Sequence, residues 1–167
     1  MKTLIIVRHA KSGWDNPDLN DFERPLNKRG HRDAPFMGDL IAQKGIKPDL
    51  LISSSALRAH TTAGYFADAF KYPKDKIIAD RSIYERGIRH IIKLIKNLEN
   101  NLNTVIVFGH NPDITSLSSF YSGEYFDNVP TCGVVCIDFN VSSWNDTDTE
   151  NGKLRFYEFP KKHLPKI

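Results

Sequence analysis

A chain of 167 residues, 40% hydrophobic and 26% charged, carries enough apolar material for one domain spanning 1–167 with its own core. A net charge of +3 lacks the clustered basic stripe of a nucleic-acid binder, and no apolar run approaches the roughly 20 residues that cross a bilayer. Cys132 and Cys136, if on one strand face, lie about 13 Å apart at about 3.3 Å per residue, too far for a disulfide or a shared metal, and two reduced thiols predict a cytoplasmic protein.

Thr3 to Val7 is a continuous β-rich run suited to a strand buried on both faces; residues 1–8 are too short and too soon charged to act as a signal peptide. Phe36, Met37, Leu40 and Ile41 form one helical stripe that Gly45 can stop, and Pro35 belongs near the first turn of that helix. Asp49 to Ser53 predicts a second strand, and Leu57 to Phe70 a helix closed by Tyr72-Pro73. Lys76 to Ala79 is a short third strand. Ile88, Ile91, Ile92, Ile95 and Leu98 repeat with the 3.6 period of a helix. Thr104 to Phe108 is the fourth strand, followed by a helix opening with Asn111 as N-cap and Pro112 at its first position, its stripe being Ile114, Leu117 and Phe120. Val134 to Asn140 and Leu154 to Phe159 predict two late strands separated by a polar loop, Ser142 to Gly152. The basic segment Lys161 to Lys166 reads as a solvated end. Strands alternating with helices predict an α/β fold with a largely parallel sheet.

In open α/β sheets ligands bind beyond the carboxyl ends of the strands. Arg8-His9 follows the first strand, Ser53 to Arg58 the second, Tyr84-Glu85 the third and Gly109-His110-Asn111-Pro112 the fourth. Each has an ordinary alternative: a surface charge, a hydrogen-bonded imidazole, an exposed Glu. Arg58 at a helix start, however, opposes the helix macrodipole. Two arginines, two histidines and helix N-termini at one sheet edge suit a phosphate dianion, because guanidinium groups bind phosphate bidentately and free N–H groups favour anions. No spaced His/Asp/Glu cluster supplies a metal site, and neither a Gly-rich phosphate loop nor a Cys-x5-Arg signature is present. A histidine is then the best nucleophile, with no metal and no cofactor.

Leu4-Ile5-Ile6-Val7-Arg8-His9-Ala10 resembles the Arg-His-Gly signature of the histidine phosphatase superfamily, which includes the phosphoglycerate mutases. Arg24 to Gly30, Ser53 to Ala63, and Gly109 to Pro112 resemble its further motifs in the same order. The short chain and the segment Arg8 to Trp14 look most like the SixA-type branch, which contains phosphohistidine phosphatases. Ala10 stands where Gly is common, which a turn of negative φ allows, and Ser55 where many relatives carry Pro.

The resemblance implies a three-layer α/β/α sandwich with a mostly parallel central sheet. It implies a phosphate pocket of Arg8, His9, Arg58 and His110, with His9 forming a phosphohistidine intermediate and Glu85 as proton donor. Ser12 and Arg24 would contact substrate from a loop roofing the pocket, on which Trp14 and Phe22 either cover the site or pack on the sheet; an ion pair of Arg24 with Asp21 or Glu23 is the alternative for that residue. The substrate would be a phosphorylated small molecule or a phosphohistidine-bearing protein, with neither nucleic acid nor membrane as partner. The rival functions are a phosphoglycerate mutase-like transferase and a catalytically idle phosphate-binding module.

Overall fold

The computed structural model describes residues 1–165 and contains one six-stranded sheet in the order β3-β2-β4-β1-β5-β6. The strands are β1 (Lys2–Arg8), β2 (Leu50–Ser54), β3 (Ile78–Asp80), β4 (Thr104–Gly109), β5 (Val134–Phe139) and β6 (Gly152–Glu158). The first four in chain order run parallel, and β5 and β6 add antiparallel pairs at one side. The helices are α1 (Lys28–Ala42), α2 (Leu57–Phe70), α3 (Arg81–Glu85), α4 (Ile88–Lys96) and α5 (Asp113–Ser122).

Alternation along the central strands sends side chains into two cores, which makes three layers. Ile5, Val7, Ile106 and Phe108 pack with Ala34, Met37 and Ile41 of α1 and with Ala63, Phe66 and Ala67 of α2. Leu4, Ile6, Val105 and Val107 pack on the opposite face with Ile83, Ile91, Ile95, Ile114 and Leu117 from α3, α4 and α5. The expected α/β/α sandwich is therefore the observed fold, and no helix among the described residues is long and apolar enough to cross a membrane.

Several local expectations change. Helix α1 begins at Lys28, where the Asn27 side chain accepts from Gly30 N, so Pro35 lies in the helix interior rather than its first turn. Proline there removes one main-chain donor. The same helix packs tightly against α2: a Cβ on Gly38 would meet Ala69 and Phe66 at 3.2–3.3 Å. Helix α5 starts one residue later than expected, at Asp113 after Pro112, and Asn111 acts from outside it, its Oδ1 accepting from Thr115 N at 3.1 Å. Tyr121 is fully buried in α5, whereas Phe120 is only half-buried. Cys132 precedes β5 in a left-handed conformation (φ 60°), so the two cysteines do not share a strand; both are buried free thiols. The polar loop before β6 contains a 3-10 turn, Trp144–Asp146, that buries Trp144 completely, and Gly152 already belongs to β6. Of the basic end segment, Lys166 lies outside the described residues.

Candidate active site

Strands β1 and β4 are neighbours, with Arg8 opposite Gly109, so the residues that follow them, His9 and His110, emerge side by side. Their ring centroids are 5.1 Å apart. Strand β2 lies on the other side of β4 and ends in Ser54, from which the chain turns into α2 and places Arg58 in its first turn. The side chains of Arg8, His9, Arg58 and His110 line one cavity of about 270 Å³. Lys11, Ser12, Trp14 and Arg24 line it from the loop after β1, and Asn111 and Thr131 complete it.

His9 is 7% exposed, and its Nδ1 lies 2.7 Å from the Ala10 carbonyl oxygen. A carbonyl only accepts, so Nδ1 carries the proton and the unprotonated Nε2 accepts from Arg58 Nε at 3.4 Å. Burial, and then the charges of His110, Arg58 and Arg8, lower the His9 pKa to about 3 against the raising effect of the Ala10 hydrogen bond, so the ring is neutral at physiological pH. Ala10 is fully buried without adopting positive φ, and its N–H donates to Thr62 Oγ1 at 3.0 Å. Thr62 Oγ1 in turn donates to Arg58 O at 2.7 Å. One hydroxyl thus joins the His9 turn to the helix that carries Arg58.

His110 Nε2 lies 2.8 Å from Ser54 Oγ, and burial, followed by the Arg58 charge, lowers its pKa to about 4. Ser54 Oγ already accepts from Ala56 N at 3.1 Å. Arg8 donates through Nη1 to the Val129 carbonyl at 3.0 Å. Among the described residues, the buried side-chain polar atoms lacking a partner are Arg8 Nε, His110 Nδ1 and Tyr121 Oη. Buried polar groups are almost always bonded, and two of these three belong to residues lining this cavity.

The loop contributes more than a roof. Ser12 bridges to Leu26 and Gly13 N donates to Pro25 O, closing the loop into a tight excursion between residues 13 and 25. Arg24, 8% exposed, donates to Ser12 Oγ at 2.7 Å and pairs with Asp21 at 3.0 Å, so it both lines the cavity and makes the ion pair expected as its alternative role. Phe22 packs edge-on against Tyr84, whereas Trp14 is 72% exposed with the Arg24 guanidinium 3.6 Å from its ring centroid.

Two residues outside the predicted set organise Arg58. Asp21 accepts from it twice, through its carbonyl at 2.6 Å and its carboxylate at 2.9 Å, and Tyr84 Oη donates to the same carboxylate at 2.7 Å. Hydrogen bonds from Tyr84 and Arg58 outweigh desolvation and hold Asp21 down at about 2. Glu85 is not brought to the cavity. It is half-exposed, and its Oε1 accepts from Arg81 Nε at 2.6 Å, an i,i+4 pair on the outer side of α3. Among the described residues no group of three His, Cys, Asp or Glu side chains is arranged to hold a metal ion.

The family model of the histidine phosphatase superfamily (branch 1) matches residues 4–89. The chain belongs to the histidine phosphatase superfamily. Within it, the fold matches the crystal structure assigned as the phosphohistidine phosphatase SixA of Agrobacterium tumefaciens with a TM-score of 0.81, at 26% identity over 95% of this chain and 98% of that one. A protein histidine phosphatase SixA solved with tungstate shares the fold at the same TM-score and 19% identity, covering 96% of this chain and 98% of the other. In sequence, an uncharacterized chloroplastic protein of Arabidopsis thaliana is 26% identical over 159 residues, 90% of this chain and 72% of that protein. A 2,3-bisphosphoglycerate-dependent phosphoglycerate mutase of Mesorhizobium japonicum is 32% identical over 98 residues, which is 58% of this chain but only 48% of the mutase.

Proposed function

We propose that this member of the superfamily is a metal-independent phosphatase whose nucleophile is Nε2 of His9, with Arg8, Arg58 and His110 holding the phosphoryl group. The carrying observation is that the neutral His9 Nε2 faces a cavity whose lining residues leave Arg8 Nε and His110 Nδ1 buried without partners. If Ser54 donates to His110 Nε2, then Nδ1 carries a proton, and both orphaned atoms are donors for phosphoryl oxygens.

The reaction follows from that geometry. The Nε2 lone pair attacks phosphorus in line with the leaving atom. The P–X bond breaks with its electron pair passing to X, which takes a proton from solvent in the cavity. The guanidinium groups and the His110 N–H bind the three equatorial oxygens, fixed in place before charge develops on them. Water then attacks the phosphohistidine, the P–N pair returns to Nε2, and inorganic phosphate leaves. Glu85, held with Arg81 outside the cavity lining, has no place in this route. Glu85→Gln should therefore change kcat/KM less than twofold on aryl phosphate and on phosphohistidine alike; a tenfold loss on either would restore it as the acid.

The decisive test is His9→Ala assayed on both substrates, with and without a chelator. Loss of turnover and of acid-labile phosphate labelling, with folding and chelator-resistance intact, supports the proposal. Near-normal turnover in the variant refutes it, and loss of wild-type activity on chelation refutes the metal-independent part. The likeness to SixA supports a phosphohistidine-bearing protein as one substrate class, beside small phosphoesters. A mutase activity is tested by following phosphoryl transfer to phosphoglycerate in place of water.

A further inference from the structure

Everything that lines the cavity near the phosphoryl position is charged or polar, with one large exception, Trp14. The residue is 72% exposed, although the Arg24 guanidinium covers one face of its ring at 3.6 Å. A side chain so exposed with one face covered must present the other face to solvent. That is an unusual position for the largest apolar side chain, since tryptophan is mostly buried. The chain's other tryptophan, Trp144, is fully buried.

The guanidinium against the ring is itself held in place. Arg24 is fixed by Ser12 Oγ at 2.7 Å and by Asp21 at 3.0 Å, and Ser12 is bridged to Leu26. The indole thus lies on a braced cation, and it belongs to the same cavity wall as His9. A phosphoryl group seated on Arg8, Arg58 and His110 must point its leaving group away from His9, toward the mouth of the cavity. There the large apolar surface available to it is the indole face.

We infer that Trp14 is a specificity-determining residue, a stacking platform that selects substrates whose phosphorus carries a planar aromatic leaving group over those with an aliphatic one. This deepens the proposed phosphatase reading and rests on it for the seating of the phosphoryl group. Offset stacking on an indole rewards flat π-systems and gives an alkyl chain less, and such contacts are worth up to about tenfold in affinity.

The kinetic test compares phenyl phosphate with glycerol phosphate. In Trp14→Ala the ratio of kcat/KM on phenyl phosphate to that on glycerol phosphate should fall about tenfold, and Trp14→Phe should restore most of it. If Trp14 only braces Arg24, both substrates lose equally and the ratio stays constant, which overturns the inference. A binding arm does not depend on turnover. Phenylphosphonate and methylphosphonate are titrated against wild type, Trp14→Phe and Trp14→Ala by calorimetry. Wild type should prefer the phenyl compound by about tenfold and Trp14→Ala should not. Equal affinity of the two phosphonates for wild type refutes the platform even if the enzyme is an active phosphatase. A clear phenyl preference lost in Trp14→Ala, with no His9-dependent turnover of any substrate, sinks the phosphatase reading and leaves the platform standing.

Discussion

Acidification should destabilise the protein through the histidines of the cavity, and the size of the effect follows from their surroundings. In the folded state His9 titrates at about 3 and His110 at about 4, whereas an unfolded imidazole titrates near 6.5. Between these values the unfolded chain binds protons that the native state refuses, so stability falls as pH drops below 6.5 and the loss ends only near the folded pKa values. At about 1.36 kcal/mol per pH unit, going from 6.5 to 5 costs about 2 kcal/mol for the buried His9. It costs less than that for His110, which is more exposed and better screened. Urea unfolding of wild type at pH 7 and pH 5 should therefore show a loss of roughly 2–4 kcal/mol attributable to the pair. A His9→Asn, His110→Asn double variant has nothing to protonate at these positions and should lose correspondingly less over the same range. Other groups titrate alike in both proteins, so the difference between the two pH responses isolates the cavity. Equal losses in the two proteins would show that the native rings take up protons as readily as unfolded ones, and the argument for a neutral His9 nucleophile would fail.

Thr62→Val should destabilise by about 1–3 kcal/mol in chemical denaturation, because it strands the buried Ala10 N–H. It should also lower activity by loosening the His9 turn against Arg58; an unchanged denaturation midpoint would count against the bridging role. Asp21→Asn should reduce kcat/KM about tenfold through loss of the charged anchor on Arg58, yet cost under about 1 kcal/mol of stability because the carboxylate is partly exposed. Tighter phosphate binding and higher activity in that variant would instead mark Asp21 as a competitor for Arg58. Gly30→Ala should unfold more easily by several kcal/mol, since its Cβ would lie 2.2 Å from the Lys11 carbonyl oxygen; a Tm within a degree of wild type would contradict that packing.

Sequence pattern exposes what regular periodicity or chain order controls. The buried runs of β1 and β4, the helix Leu57–Phe70 and the isoleucine stripe of α4 all declare themselves by period and residue type. Because ligand sites in such sheets lie beyond the strand ends, His9, Arg58 and His110 could be placed together before any coordinates. What the pattern hides is set by contacts distant in sequence. Pro35 looks like a helix start until Gly38 is seen pressed against α2. Trp144 sits in a polar stretch, yet its indole N–H reaches the Leu102 carbonyl at 2.7 Å and its ring fills the core. The family resemblance implies Glu85 as proton donor, whereas the short helix α3 pairs its carboxylate with Arg81. Arg81 and Glu85 are four residues apart and share its outer face, which turns Tyr84 toward Asp21. The Arg81-x-x-x-Glu85 spacing was a usable signal for that outcome. Asp21 had a weaker one, its position three residues before Arg24.

The cavity collects Arg8, Lys11, Arg24 and Arg58 around two neutral imidazoles, with Asp21 supplying one counter-charge on Arg58 and Arg24. Such a site is over-positive when empty, and His110 stays unprotonated partly for that reason. A tetrahedral dianion reverses the balance. A unit negative charge about 3.5 Å from the ring is worth roughly 4–5 kcal/mol at an effective dielectric of about 20. That is enough to lift the ring from about 4 to near or above 6. Anion binding should then take up a proton in the window between the free and bound values, and His110 should meet the phosphoryl group as a cation. Sulfate tests this cleanly, because it carries no titrating proton between pH 5 and 7. Its binding enthalpy at pH 5.5, measured in buffers of different ionisation enthalpy, should vary with the buffer and report uptake of a large fraction of one proton. His110→Gln should abolish that dependence. If sulfate binds wild type with an enthalpy independent of the buffer, His110 remains neutral in the complex, and charge stabilisation of the transferring phosphoryl group falls to the arginines and Lys11.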